Sequence, residues 1–371
     1  MRVLSISLDK KILDKNSKTF KRQKEYADLI DEYCIVVFGP KKEIRNETLF
    51  IYGSGGNSKI SRFFKAYKKA KQILENKDLR NWLITTQDPF FTGLLGYLLK
   101  GKFYIKLHVQ IHGFEKFFGL RKLIAKFIIS RADGFRVVSK RLKKRLIDEF
   151  GIKENKITVV YIFTPTNINL NIKYAEKLQK ITSSYLTKKV EKFIFLTVGR
   201  LVPIKNIQLQ VRAFIEISKK YPDIELWIIG NGPGKYKIQD AKNGIQIPQG
   251  IKLLGWQDNL DKFYSQADIF LLTSNYEGWG LAVIEAANYN LPIIMTDVGN
   301  AGEIIKNNES GIVIPINNQK ELEKAMIKLI EDKELRKRLG DNAKKALSKL
   351  PSKEETLELY KKSWEKTLTR Y

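Results

Sequence analysis

The chemistry in this sequence gathers where short apolar runs end. FIFLTVG leads into GRLVPIKN, which supplies Arg200 and Lys205, and LWIIG leads into Asn231 and Gly232. IFLLTS runs into EGWGLAVIE, where Glu277 and Glu285 stand eight positions apart around Gly278, Trp279, Gly280 and Leu281, and PIIMT is followed by DVGNAGE. Two cations among glycine-opened turns suit a diphosphate, because helix N-termini and bare backbone amides attract anions and glycine lets a ligand come close. A carboxylate beside such a site accepts hydrogen bonds from ribose or sugar hydroxyls. Taken alone, Glu277 also reads as a helix-start acid and Glu285 as a solvated helix residue. The company of Arg200 and Lys205 favours the ligand-binding reading.

In the first half, KFYIKLHVQIHG alternates with period two, so a strand over Phe103–Ile111 sets Lys106, His108, Gln110 and His112 on one face. His112 falls at the carboxyl end, followed by Gly113, where a ligand-facing imidazole belongs. A ligand contact and a structural role stay equally open for it. His108 lies deeper and reads as a structural histidine. No Asp-x-Asp occurs and the two histidines have no zinc spacing, so no metal ligands are assigned.

The elements that must position these residues alternate apolar runs with amphipathic stretches, the pattern of parallel sheets covered by helices. Strands are expected at Val3–Leu8, Cys34–Phe38, Trp82–Thr85, Phe103–Ile111, Gly134–Val138 and Ile157–Ile162. The rhythm restarts at 193–199 and continues at Ile224–Ile229, Ile251–Leu254, Ile269–Thr273, Pro292–Thr296 and Gly311–Ile314. The fold class is α/β, with two Rossmann-like units: residues 1–170, a polar linker at 171–190, and residues 191–350. A helix over 351–371 follows, with Ser352 as N-cap and Glu354 and Glu355 in its first turn.

Composition narrows the class. The 371 residues carry a net charge of +27 with 43% hydrophobic content, too apolar for disorder and too charged for a membrane bundle. Residues 1–190 hold 40 Lys and Arg against 17 Asp and Glu, whereas 191–371 hold 27 against 23. A basic half fits nucleic acid, an anionic membrane surface or a phosphorylated substrate. FEKFFGLRKLIAKF brings Phe114, Phe117, Phe118 and Leu120 among lysines and arginines, and KISRFFKAYKKAKQIL from Lys59 has the same character, as an interfacial segment would. Each also reads as an ordinary surface helix. The lone Cys34 fits a reducing compartment, and no signal peptide or membrane-spanning run is visible. A cytoplasmic location follows, with peripheral attachment to the inner face of the cell membrane as an extension. The rival from another class is a basic nucleic-acid-binding protein without transfer activity, which leaves the ordered motifs of the second half unexplained. No strand-GxGxxG-helix unit supports a nicotinamide dehydrogenase.

Together GRLVPIKN, LWIIGNGPG, IKLLGW, FLLTSNYEGWGLAVIEAANYNLPIIMTDVGNAGEII and SGIVIP resemble the retaining nucleotide-sugar glycosyltransferases of family 4, which have the GT-B fold. In the first half VQIHG, ADGFRVVSK and KITVVY carry a thinner likeness. The resemblance implies two Rossmann-like domains facing across a cleft, with the C-terminal helix packing back on the first. It implies metal-independent transfer of a hexose-like sugar, with no cofactor, from a UDP- or GDP-sugar to a glycan or lipid-linked acceptor in polysaccharide or glycolipid synthesis. Arg200 and Lys205 would bind the donor diphosphate, Glu285 the ribose hydroxyls, and Glu277 with the backbone of Gly278 to Leu281 the transferred sugar or its phosphate. Asn231 and Gly232 would complete the donor site, and His112 would touch the sugar near the reacting centre. SISLDKKILDKNSKTFKRQ lacks the family's glycine-rich turn after the first strand, and YIFTPTNIN lacks its usual ending before the linker, so the acceptor is the least specified part.

Overall fold

A computed structural model describes residues 1–75, 77–114, 117–164, 192–234 and 249–369. The expected linker at 171–190 lies outside the described residues. The chain divides into two compact units, Met1–Phe163 with Pro351–Tyr371, and Thr164–Leu350.

The first unit is built on β1 (Arg2–Ser7), β2 (Glu32–Val37), β3 (Lys42–Arg45), β4 (Leu49–Gly53), β5 (Trp82–Thr86), β6 (Lys106–Ile111), β7 (Gly134–Val137) and β8 (Ile157–Val159), in the order β3-β4-β2-β1-β5-β6-β7-β8. Every pairing is parallel except β3 with β4. Burial from both sides explains why β2 and β5 read as apolar runs, whereas β6 alternates in sequence and buries its polar His108 and Gln110 as well. Neither β3 nor β4 was among the expected strands; β3, KEIR, is an edge segment with charged residues around one buried Ile44, and β4, LFIYG, is a short run between β3 and β2. The expected start of β6 at Phe103 also shifts: Phe103 ends the preceding helix, and Tyr104 breaks the chain with a left-handed φ of 54°.

Among the described residues five α-helices join these strands: α1 (Lys18–Ala27), α2 (Lys59–Leu74), α3 (Phe91–Phe103), α4 (Gly119–Arg131) and α5 (Lys140–Phe150). The right-handed crossovers that step from β4 to β5, β6 and β7 lay α2, α3 and α4 side by side on one face. The opposite face is covered by α1 and by the C-terminal helix, Lys353–Leu368. That helix opens with a capping box between Ser352 and Glu355 and returns to the sheet of the first unit as expected. Its Trp364 is fully buried, and its Tyr360 stacks on Tyr26 with ring centroids 4.2 Å apart. His108 is the structural histidine that the alternation suggested, with Nδ1 2.9 Å from Thr85 Oγ1 and Nε2 2.8 Å from Ser363 Oγ on the C-terminal helix. Burial, with Arg136 nearby, pushes its pKa down to about 3. The helix also explains the glycine that opens β7, since a Cβ on Gly134 would lie 2.0 Å from Thr367 Oγ1.

The second unit holds β9 (Phe193–Val198), β10 (Ile224–Ile229), β11 (Ile251–Gly255), β12 (Ile269–Leu272), β13 (Ile293–Thr296) and β14 (Ile312–Ile314). They form one parallel sheet in the order β11-β10-β9-β12-β13-β14. Its described helices are α6 (Ile207–Ser218), α7 (Asp261–Tyr264), α8 (Leu281–Asn288), α9 (Gln319–Glu331) and α10 (Lys333–Ala346). After β9 the chain moves outward through β10 and β11, then crosses back to place β12 on the other side of β9. In an open parallel sheet this reversal leaves a crevice beyond the carboxyl ends of the two strands, where ligands bind.

Candidate active site

The loops that leave β9 and β12 meet at that crevice. The Asn275 amide donates to the Ile204 carbonyl at 2.8 Å, and Thr273 Oγ1 donates to the Asn206 carbonyl at 3.1 Å. Asn206 takes the left-handed conformation, φ 47°, between the short 3-10 turn Pro203–Lys205 and α6. Asparagine tolerates that region better than most residues. These contacts bring Lys205 to Glu277, and their side chains form an ion pair. Glu277 Oε1 also accepts from Ser274 Oγ at 2.7 Å. Both partners are largely shielded, with side-chain exposures of 20% and 11%, so this contact is less screened than a surface pair.

The two expected cations therefore differ in state. Lys205 is engaged by Glu277. Arg200 is exposed, and among the described residues no hydrogen bond or ion pair holds its guanidinium. Asn231 and Gly232 follow β10, and the Asn231 carbonyl accepts from the Leu201 amide at 2.9 Å, which ties this turn to the one that carries Arg200.

Around Glu277 the backbone is tightly folded. Gly280 adopts φ 95° and opens α8, so the helix starts at Leu281. The first amides of a helix lack intrahelical partners, which makes this end favourable to anions. The β13 loop braces the turn: the Asn300 amide donates to the Trp279 carbonyl at 3.0 Å, and Gly299, at φ 58°, has no room for a Cβ, which would sit 2.6 Å from that carbonyl. The Trp279 indole is buried, at 2% exposure, so this residue faces the turn through its backbone.

Glu285 lies on the less buried stripe of α8, four residues after the exposed Leu281, while Val283, Ile284, Ala286 and Ala287 face the core. Its Oε2 accepts from Tyr264 Oη at 2.9 Å. Burial, and then the adjacent carboxylate, hold the Tyr264 hydroxyl well above its ordinary pKa, so it stays protonated and donates. Tyr264 stacks on Tyr289 at 5.3 Å, and Tyr289 donates to Asp261 Oδ1 at 2.6 Å. Sequence reasoning missed Tyr264 and Ser274. Ser274 had a local signal, three residues before Glu277 at a strand end. Tyr264 lies 21 residues from Glu285, and no spacing rule links them.

Arg200, Lys205, Asn231, Gly232, Glu277 to Leu281 and Glu285 all belong to the second unit. His112 belongs to the first, where it stands exposed just beyond β6.

Comparison with known proteins matches both parts of the chain. Residues 179–346 fit the model for glycosyl transferases group 1, and residues 24–167 fit the model for Glycosyltransferase Family 4. An uncharacterized glycosyltransferase of Methanocaldococcus jannaschii is 27% identical over 87% of this chain and 90% of its own length. An Escherichia coli UDP-Gal:alpha-D-GlcNAc-diphosphoundecaprenol alpha-1,3-galactosyltransferase is 29% identical over 52% of this chain and 50% of its own. Among solved structures, sucrose-phosphate synthase from Thermosynechococcus elongatus superimposes with a TM-score of 0.75 at 17% identity, covering 98% of this chain and 99% of that one. Anabaena HepE in complex with UDP gives 0.73 at 14% identity, covering 98% of each. These likenesses confirm the fold as GT-B. With one family model matching each half in order, the chain is a group 1 and family 4-like glycosyltransferase.

Proposed function

We propose that this protein is a retaining glycosyltransferase that moves a sugar from a nucleoside diphosphate donor to a glycan or lipid-linked acceptor in cell-envelope polysaccharide or glycolipid synthesis. The observation that carries the donor assignment is the meeting of Lys205 and Glu277, 72 residues apart, at the reversal point of the second sheet. Breaking the bond between the anomeric carbon and the donor phosphate leaves negative charge on the departing diphosphate. Arg200 and Lys205 supply the neutralising cations, so the reading needs no metal. The acceptor hydroxyl bonds to the anomeric carbon and passes its proton to the leaving phosphate oxygen on the same face of the sugar. Glu285 accepts hydrogen bonds from the ribose hydroxyls, and Glu277 with the backbone of Gly278 to Leu281 faces the transferred sugar. Asn231 and Gly232 contact the donor from the neighbouring turn, and His112 is assigned to the sugar side of the reaction.

Support for a UDP-type donor comes from the UDP-Gal named for the E. coli relative and from the UDP seen in the HepE complex. Thermal protection and hydrolysis with UDP-, GDP- and ADP-sugars test the reading. One of these donors is expected to protect the wild type, and Arg200→Ala and Lys205→Ala to lose transfer. Full activity in both variants, or no protection by any of the donors, overturns it.

A further inference from the structure

The face formed by α2, α3 and α4 has a composition that the packing of the first unit does not require. These helices carry twelve Lys and Arg and no Asp or Glu. The next helix along, α5, carries Asp148 and Glu149. Apolar side chains nevertheless point outward. α4 buries Ala125, Ile128 and Ile129, yet its Leu120 and Leu123 are 67% and 65% exposed, and Phe118 just before it is 67% exposed. α2 leaves Ile60 and Phe64 exposed one turn apart, and α3 leaves Phe91 and Leu98 exposed, with Tyr104 beyond its end. Phe127 joins the two neighbouring helices by packing its edge on Tyr97 at 4.9 Å. Phe117 does not belong to this face. It packs on Phe114 and Phe150 at 5.2 and 5.6 Å, so the sequence-based grouping of Phe117 with Phe118 is corrected.

We propose that the outer face of α2, α3 and α4 docks on an anionic lipid bilayer. Aliphatic and aromatic tips at this spacing enter the headgroup boundary, while Lys59, Lys65, Lys68, Lys102, Lys122 and Lys126, all exposed, reach lipid phosphates beside them. A second copy of the same face is a poor occupant, because it would set the exposed lysines of one copy against those of the other. Nucleic acid would use the cations and leave Leu120 and Leu123 in water, since aliphatic tips offer bases no stacking surface. Among the described residues no helix is long and apolar enough to cross a membrane, so the contact is peripheral.

The test is sedimentation of the full chain with phosphatidylcholine vesicles, with and without phosphatidylglycerol, across a salt series. The wild type is expected to pellet only with the anionic vesicles and to be released by salt. Phe118→Ser, Leu120→Ser and Leu123→Ser together, and separately Lys122→Glu with Lys126→Glu, are each expected to weaken partitioning about tenfold or more. Circular dichroism identifies a variant that has failed to fold, and the other variant then decides. Equal pelleting with both vesicle types, or wild-type partitioning in a folded variant, overturns the proposal. So does binding to a random oligonucleotide without vesicle binding, or a dimer that the triple variant disperses without vesicle binding. None of these readouts depends on sugar transfer, so the donor-site reading stands or falls apart from it.

Discussion

Tyr264 donates to Glu285 Oε2 at 2.9 Å and fixes the one carboxylate of α8 assigned to the donor ribose. The phenol acts through Glu285, as a positioning residue. Tyr264→Phe removes one hydrogen bond to a charged group and keeps the ring stack on Tyr289. The donor KM is expected to rise about five- to thirty-fold, equivalent to about 1–2 kcal/mol, with kcat changed by less than about threefold. Steady-state kinetics decide the matter: a fall in kcat at constant KM would remove Tyr264 from donor positioning.

Lys205 and Glu277 form a unit, and their substitutions should not add. Lys205→Ala is expected to lower kcat by about 10²- to 10³-fold, the scale for losing one group that stabilises developing negative charge. Glu277→Gln keeps a side chain able to accept from Ser274 but frees the ammonium. The double variant should be little worse than Lys205→Ala alone. Losses that multiply would mean the two groups act independently.

His108 ties acid stability to the docking of the C-terminal helix. Its native pKa of about 3 lies below the ordinary 6.5, so the unfolded chain binds the proton more readily than the folded one. This contribution is complete above about pH 6.5. It drains as pH falls toward 3, by at most about 1.4 kcal/mol per pH unit. Urea denaturation between these limits should show a steeper acid limb for the wild type than for His108→Gln. Parallel limbs would contradict it.

Gly134→Ala probes the same seam by volume. The added Cβ would meet Thr367 Oγ1 at 2.0 Å, and the expected cost is about 1–3 kcal/mol in the unfolding midpoint. Thr367→Ala in the same chain should recover part of it, because the two atoms closest to the new methyl, apart from Thr367 Cβ, are then gone. An unchanged midpoint in Gly134→Ala would mean that the helix shifts at no cost.

Much of this architecture was legible because parallel strands buried on both faces leave apolar runs that need no partner to be recognised. Ile224–Ile229 was placed to the residue. The strand before His112 was overextended because the end of α3 is as apolar as the strand it leads to, and the break falls at Tyr104, a residue type that does not announce a left-handed turn. β3 escaped because an edge strand is written in charge. In the candidate site, Arg200, Lys205, Glu277 and Glu285 were singled out from their places after apolar runs. The pairing of Lys205 with Glu277 and the reach of Tyr264 to Glu285 depend on strand order, which no local spacing encodes. Phe117 and Phe118 were inseparable in sequence, and only packing in space separates the half-buried Phe117, against Phe114 and Phe150, from the exposed Phe118.

The C-terminal helix gives the two units different biosynthetic histories. The second is assembled from one uninterrupted stretch and can mature as soon as it has left the ribosome. The first must wait, with the seat for Tyr360 and Trp364 uncovered, until residues 353–368 have been translated. A nascent chain stalled before that point would carry the whole sequence of the second unit and an incomplete first one.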